Sequence, residues 1–176
     1  GLGGGGLTTD SLISLINSSS QSIHIQSPYL VTTALSQGLF RKAIERGVEI
    51  KVLTNSLTST DNLEAFSGYV RERQNLLDLG VELYEFKPDA EIRYTVMTGA
   101  LQKTIDFRPT FGLHAKSMVI DQEIAVVGTF NLDPRSANLN TECIAIIQST
   151  NIARDLYSVM EEEIKPENAW KITSNE

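Results

Sequence analysis

Residues 22 to 55 read SIHIQSPYLVTTALSQGLFRKAIERGVEIKVLTN, and this stretch decides the architecture. SIHIQSPYL carries Ile23 and Ile25 and reads as a strand stopped by Pro28, which cannot donate to a ladder. Thr32 or Thr33 can cap the helix that follows, because a hydroxyl there accepts from a free N–H of the first turn. Leu35, Leu39, Phe40, Ala43 and Ile44 recur at helical spacing as one apolar stripe, and Gly47 ends it. VEIKVLTN then follows at once as a second strand. Two strands joined through a helix pair in parallel, since the crossover returns the chain to the end where it started.

The rhythm continues outward. A third helix is expected from about Thr60 to Leu79, closed by Gly80, with VELYEF as the next strand. Upstream, Asp10 or Ser11 can cap a short helix carrying Leu12, Leu15 and Ile16. Strand, helix, strand, helix, strand defines an α/β fold with a largely parallel sheet covered by helices. Residues 87 to 111 break the pattern, mixing Pro88, Gly99 and Pro109 with apolar residues in no clean period. Long irregular loops are often functional, here as a substrate lid or a partly interfacial segment, but packing against its own domain is the reading adopted for this one. Beyond it come two tightly joined strands, a polar loop, the strand TECIAIIQ and a helix near residues 151 to 163. The expected layout is a Gly-rich linker or cut end at 1 to 9, one domain from 10 to 165, and a loose tail from 166 to 176.

Composition narrows the function classes. The chain has 176 residues, 41% hydrophobic and 21% charged, enough for one core without disulfides or metals. No apolar run approaches the roughly 18 residues of a membrane span, so any membrane contact is expected to be peripheral. GLGGGGLTT has neither the charged nor the apolar region of a signal peptide. Cys143, the single cysteine, lies in the apolar run CIAII and reads as a buried, reduced thiol; the expected setting is cytoplasmic or peripheral on the inner membrane. The net charge of -7 opposes sequence-independent nucleic-acid binding, so no nucleic-acid partner is expected. Arg41, Lys42, Arg46 and Lys51 read as a solvated helix face rather than a basic groove.

The chemistry concentrates in residues 114 to 131, HAKSMVIDQEIAVVGTFN. His114 and Lys116, two apart in a strand, share a face and can converge on one anion. LHAKSMVI turns around residues 121 to 123 and EIAVVG returns antiparallel. If the turn centres near residue 122, paired positions sum to about 244, placing Gly128 opposite Lys116 and Phe130 opposite His114. That register brings Gly128, Thr129 and Asn131 back to the His114 end, where backbone and side-chain donors can surround a phosphate. Asp121 lies about seven residues along the strand, roughly 23 Å away, and cannot orient the imidazole. It is expected to form the turn by bonding its own backbone. Glu142 is the better carboxylate, expected to accept a hydrogen bond from the second ring nitrogen of His114 and so fix its tautomer.

The string His114, Lys116, Asp121, Gly128, Thr129, Asn131 resembles the signature of the phospholipase D superfamily. SPYL at 27 to 30, TNSLTSTDNLEAFSGY at 54 to 69 and NLDPRSANLNTE at 131 to 142 are similar to the C-terminal half of bacterial cardiolipin synthases, especially the C-type branch. The resemblance implies a mixed sheet between helices and a metal-independent mechanism in which a histidine attacks phosphorus. By that resemblance His114 is the nucleophile or its acid partner and Lys116 and Asn131 hold the phosphate. Thr129 stands for a frequent Ser with its hydroxyl kept, Glu142 matches the acidic residue that supports the histidine, and Asp121 and Gly128 are structural. Phosphatidyl transfer between phospholipids is the function implied; hydrolysis by the same site and a homodimeric phosphodiesterase are the alternatives. No cofactor is expected, and two histidines are too few for a metal cluster.

Transfer through a phosphohistidine needs a second histidine to protonate the leaving alcohol. His24 lacks a lysine two residues on and reads as an ordinary strand histidine, so the partner has to be a second such motif, from another half of the same protein or from a second copy. Asp133 and Arg135 flank Pro134 and are expected to pair with each other, bracing the loop. Ser27, Tyr29, Asn55 and Ser56 follow strand ends, where parallel sheets place ligand sites, and are candidate pocket residues.

Overall fold

The strand–helix rhythm of residues 22 to 86 is the middle of a seven-stranded sheet. We describe a computed structural model covering residues 6–92 and 112–174, so most of the irregular stretch 87–111 lies outside the described residues. The elements are α1 (Leu7–Ser18), β1 (Ser22–Gln26), α2 (Ala34–Glu45), β2 (Glu49–Asn55), α3 (Leu63–Leu79) and β3 (Glu82–Phe86). They continue with β4 (Ser117–Ile120), β5 (Ile124–Gly128), α4 (Pro134–Asn138), β6 (Ile144–Gln148), α5 (Thr150–Glu163) and β7 (Ala169–Ile172). The strand order is β6-β5-β4-β1-β2-β3-β7.

β1, β2 and β3 pair in parallel, as the crossover helices require. The sheet is mixed because everything outside this trio is antiparallel: β4 on β1, β5 on β4, β6 on β5, and β7 on β3. One face is covered by α1, α2 and α3, whose Leu12, Ile16, Phe40, Ala43, Tyr69 and Leu76 pack on Ile23, Ile25, Ile50, Val52 and Leu83. The other carries α5, whose Ala153 and Met160 pack on Val119 and Ala125. Strand side chains alternate between the two faces, so both faces of the central strands are buried.

Local chemistry explains most boundaries. Thr33 caps α2 through a reciprocal pair with Ser36, and α3 ends at Gly80 with φ 95°, a left-handed angle that glycine adopts without a Cβ penalty. α3 begins at Leu63 rather than near Thr60, with Asn62 capping it by accepting from the Ala65 N–H. α1 begins at Leu7 rather than at Asp10, so residues 7 to 9 of the expected linker are helical. Tertiary bonds set that start: the Thr8 and Thr9 hydroxyls donate to the carbonyls of Glu142 and Ala137.

Three other expectations are corrected. The tail is not loose through residues 169 to 172: β7 adds to the edge of β3, and Asn168, 1% exposed, accepts from the Ile92 N–H and donates to the Glu162 carbonyl. Cys143 is exposed, because β6 is an edge strand with little packed over it. Of the four basic residues, Arg41 and Lys42 are solvated, but Arg46 donates to the Ile16 and Ser19 carbonyls and Lys51 pairs with Glu49 and Glu161.

Candidate active site

The hairpin register follows the expected sum. Ser117 faces Val127, Met118 faces Val126, Val119 faces Ala125, and the Gly128 N–H donates to the Lys116 carbonyl at 3.1 Å. Asp121 and Gln122 both have positive φ, 52° and 54°, and the Glu123 N–H donates to the Ile120 carbonyl, so residues 121 to 123 form a three-residue connection between the paired Ile120 and Ile124. The ladder therefore carries His114, Lys116, Thr129 and Asn131 to one end and Asp121 to the other. That first end also holds the carboxyl ends of β1 and β2, since Gln26 at the end of β1 faces Ser117.

Asp121 is structural, but not through its own backbone as expected. Its carboxylate accepts from the N–H groups of Ser20, Gln21 and Ser22 and from the Ser20 hydroxyl, locking the hairpin turn to the α1–β1 connection. Burial alone would raise its pKa; those donors bring it below the ordinary aspartate value. Gly128 is needed because β6 runs against it: a Cβ there would lie 2.2 Å from the Cys143 carbonyl oxygen.

At the open end His114 is exposed, and Lys116 reaches back to it, with Nζ donating to the His114 carbonyl at 3.1 Å and lying 3.4 Å from Nε2. Partial burial lowers the Lys116 pKa, while the charges of Glu142, Asp61 and Asp133 oppose that shift. Asn131 is 8% exposed, and its Oδ1 is the buried side-chain polar atom that, among the described residues, has no hydrogen-bond partner. Its backbone is held firmly: Asn131 N–H donates to the Ser136 hydroxyl, and Leu132 N–H to the Ser27 hydroxyl. An amide fixed by its backbone but free at its side chain suits an absent ligand.

Glu142 meets the site through Thr129. The Thr129 hydroxyl donates to Glu142 Oε2 and accepts from the Cys143 N–H, and Asn140 donates to Oε1 at 3.1 Å. Among the described residues neither Glu142 nor His114 is bonded to the other; the carboxylate oxygens face Thr129 and Asn140. Burial would raise the Glu142 pKa, but hydrogen bonds from Thr129, Ser136 and Asn140 and the charge of Lys116 bring it down. Glu142 is therefore an anion whose field reaches Lys116.

The candidate pocket residues take different places. Asn55, 2% exposed, clamps the residue before the histidine: Nδ2 donates to the Leu113 carbonyl at 2.9 Å and Oδ1 accepts from the Leu113 N–H at 2.8 Å. Ser59 donates to Asn55 Oδ1 and Ser56 N–H donates to Ser59, so the β2–α3 loop is a buried polar cradle. Gly112 fits it because a Cβ there would lie 2.5 Å from the Ser59 carbonyl oxygen. Neither Ser59 nor Gly112 stood out in the sequence, since no local pattern marks a contact made across 58 residues. Ser27 is likewise committed, donating to the Tyr29 carbonyl.

Tyr29 instead lines an open cavity of about 440 Å³ next to Asn131, with Asn62, Glu64, Asp133 and Arg135. The expected Asp133–Arg135 pair is not formed: Asp133 caps α4 by accepting from the Ser136 N–H, leaving Arg135 to face this cavity. Burial and a hydrogen bond to Asp61 raise the Tyr29 pKa. His24 is a buried strand residue on the α5 face, with Nδ1 3.3 Å from Glu161 and its ring against Tyr157. Desolvation and the Lys51 charge lower its pKa, which keeps it neutral. Among the described residues no group of three or more His, Cys, Asp or Glu is placed to hold a metal ion.

An exposed imidazole, a partly desolvated ammonium, an unpartnered amide and a carboxylate behind a hydroxyl form a site for an anion beside a nucleophile or base. The profile of the family described as cardiolipin synthase, PLD-like domain, matches residues 12–164. Cardiolipin synthase C of Escherichia coli is 38% identical over 143 residues, which is 81% of this chain and 29% of that protein. The chain thus spans less than a third of that relative's length. Among solved structures, phosphatidylserine synthase from Haemophilus influenzae superposes with a TM-score of 0.69 at 14% identity, over 98% of this chain and 38% of that one. Nuc, a phospholipase D family member from Salmonella typhimurium, gives 0.63 at 15% identity, over 94% of this chain and 90% of that one. At those identities the two structures show the shared fold. With the profile covering most of the sequence, the chain belongs to the cardiolipin synthase, PLD-like domain family.

Proposed function

We propose that this domain transfers phosphatidyl groups between phospholipids through a phosphohistidine at His114, as one half of a two-histidine site. The observation that carries the reading is the convergence of exposed His114, Lys116 and the unpartnered Asn131 amide at one end of the β4–β5 hairpin. An imidazole nitrogen attacks phosphorus, the bond to the leaving alcohol breaks, and that alcohol takes a proton from an acid. An acceptor alcohol on a second lipid then gives its proton to that same group, now a base, and attacks phosphorus, the new P–O bond forming as the bond to His114 breaks. Lys116 and Asn131 hold the phosphoryl oxygens, and Glu142, held in place by Thr129 and Asn140, supports the imidazolium-like species through its charge. Glu142→Gln is expected to slow turnover about 100-fold with the fold intact.

The proton has to come from a second histidine, because His24 is buried against Glu161 and Tyr157 on the α5 face. The partner is accordingly a second histidine-and-lysine half, in the same protein or in another copy. The cavity holding Arg135 and Glu64 suits the hydroxyl-bearing group that leaves or accepts. No described helix is long and apolar enough to cross a membrane, and the reading places the domain peripherally on a lipid surface.

The test is to give the intact protein phosphatidylglycerol or phosphatidylethanolamine labelled with ³²P, quench during turnover, and look for acid-labile label on His114 together with cardiolipin. Phosphatidic acid as the only product would make the site a hydrolase; absence of label on His114 would refute the covalent route. Turnover is expected to survive chelators. A nuclease reading has the fold of Nuc on its side, but the net charge of -7 opposes binding to a phosphate backbone.

A further inference from the structure

The five most exposed large apolar side chains among the described residues are all leucines: Leu7, Leu63, Leu139, Leu35 and Leu57, between 58% and 87% exposed. The next, Ile152, is 47% exposed. These five come from separate segments, yet the topology brings every one to the end of the sheet where His114 stands. Leu35 opens α2 after the carboxyl end of β1, Leu57 follows the carboxyl end of β2, and Leu63 opens α3. Leu139 ends α4 beside Asn140, which lines the same cavity as Asn131. Leu7 opens α1, whose next two residues bond the carbonyls of Glu142 and Ala137.

We propose that this leucine rim is a bilayer-docking surface, which seats the domain on a lipid layer so that a lipid phosphate reaches Lys116 and Asn131. The proposal rests on the phospholipid reading and adds to it the surface that delivers the substrate. Composition selects lipid over protein as the occupant. Protein interfaces are anchored by Tyr, Trp and Arg, with Leu under-represented among their energetic centres, whereas hydrocarbon takes leucine without needing a shaped pocket. At this rim the strongly exposed large apolar side chains are leucines; Trp170, the exposed aromatic among the described residues, sits beside Glu85 toward the same end of β3 with the Lys87 ammonium over its ring.

Charge points the same way. A chain of net charge -7 gains nothing from an anionic leaflet, so apolar insertion has to supply the affinity. The surface is also continuous with an apolar cavity of about 80 Å³ between α1 and α2, walled by Leu35, Leu39, Phe40, Phe130 and Leu132. Phe130 and Leu132 flank Asn131, so an apolar wall runs from the phosphate position toward the leucine rim.

The test is flotation of the intact protein with phosphatidylcholine vesicles, which reads binding and not turnover. Binding is expected to change less than about twofold between roughly 50 and 500 mM salt, because apolar insertion is unscreened. The triple variant Leu57→Ser, Leu63→Ser, Leu139→Ser is expected to bind about 100-fold more weakly with an unchanged melting temperature. Equal flotation of the variant, or binding that requires anionic lipid and collapses in salt, would overturn the proposal. Leu57→Cys or Leu63→Cys in a Cys143→Ser background adds a second readout: thiol labelling should be fast in solution and blocked by vesicles. Slow labelling without vesicles would mean that protein covers the rim, and would also overturn it. A protein that floats but transfers no phosphatidyl group refutes the enzymatic reading alone.

Discussion

At the turn of the β4–β5 hairpin, Asp121 spends both carboxylate oxygens on three N–H groups and a hydroxyl, whereas at the opposite end Asn131 keeps a buried amide oxygen with no partner among the described residues. The same two strands carry both ends. The closed end is satisfied and contributes stability; the open end leaves His114 exposed and polar capacity unspent, which costs stability and is what a ligand would use. Motif residues are therefore not one functional class. In the proposed reading Asp121 marks the fixed end of the hairpin and His114 its working end.

The largest expected effect tests the working end. His114→Asn should abolish phosphatidyl transfer, by more than about 10⁴-fold, while changing stability by less than about 0.5 kcal/mol, because an exposed ring that among the described residues meets Lys116 alone contributes little packing. Assayed by product formation and thermal melting, a variant that keeps its turnover would remove the distinction between the two ends.

Next comes the cradle that holds the working end from below. Asn55→Ala unpairs the buried Leu113 N–H and carbonyl and one partner of Ser59, at a cost of about 3 kcal/mol in denaturant unfolding. Turnover of the folded fraction should also fall about 10- to 100-fold, since Leu113 is the residue before His114 and small displacements of a nucleophile are expensive. Lower stability with unchanged turnover per folded molecule would assign the cradle to the fold alone.

The fixed end should behave in the opposite way. Asp121→Ala is expected to cost about 2 kcal/mol of stability, several charge-assisted hydrogen bonds being lost at a partly solvated site, with turnover of the folded protein within about twofold of normal. Measured together by urea midpoint and rate, a large loss of rate without loss of stability would place Asp121 in the chemistry.

The sequence carried this division only partly. The strand and helix periods, the Thr33 and Gly80 boundaries and the register of the hairpin followed from local rules, because capping, left-handed glycine and pairing arithmetic act over a few residues. What escaped depends on distant partners. Thr8 starts α1 by bonding a carbonyl 134 residues away, Asn55 reaches 58 residues to Leu113, and Asp121 bonds the loop about 100 residues before it instead of its own turn. Proximity in sequence pairs Arg135 with Asp133, but that carboxylate caps the helix by accepting from the Ser136 N–H. Asn131, His114 and Lys116 stand out because their spacing is itself a local pattern, although β4 begins only at Ser117 and β5 ends at Gly128, so all three lie just beyond the strands and not in them as expected.

The smallest effect contrasts one carboxyl from each end in its response to pH. Donors hold the Asp121 pKa below its ordinary value, so its stabilisation is present above the unfolded aspartate range and is lost as pH falls through the folded value. Near the open end, Glu163 of α5 is 7% exposed, and burial pushes its pKa up to about 7; it accepts from Gln26, which in turn accepts from Ser117, the neighbour of Lys116. A raised carboxyl works in the reverse sense: its contribution is complete below the unfolded glutamate range and is lost as pH climbs through about 7. The Gln26 donor favours the ionised form and moderates that loss to about 1–2 kcal/mol. Glu163→Gln should therefore flatten the stability profile between pH 5 and 8, and Asp121→Asn should flatten only its acid limb. Urea unfolding across pH would separate them. An unchanged alkaline slope in the Glu163 variant would mean that Gln26 and Ser117 hold the carboxylate charged, and that the open end is as well solvated by its own side chains as the closed end.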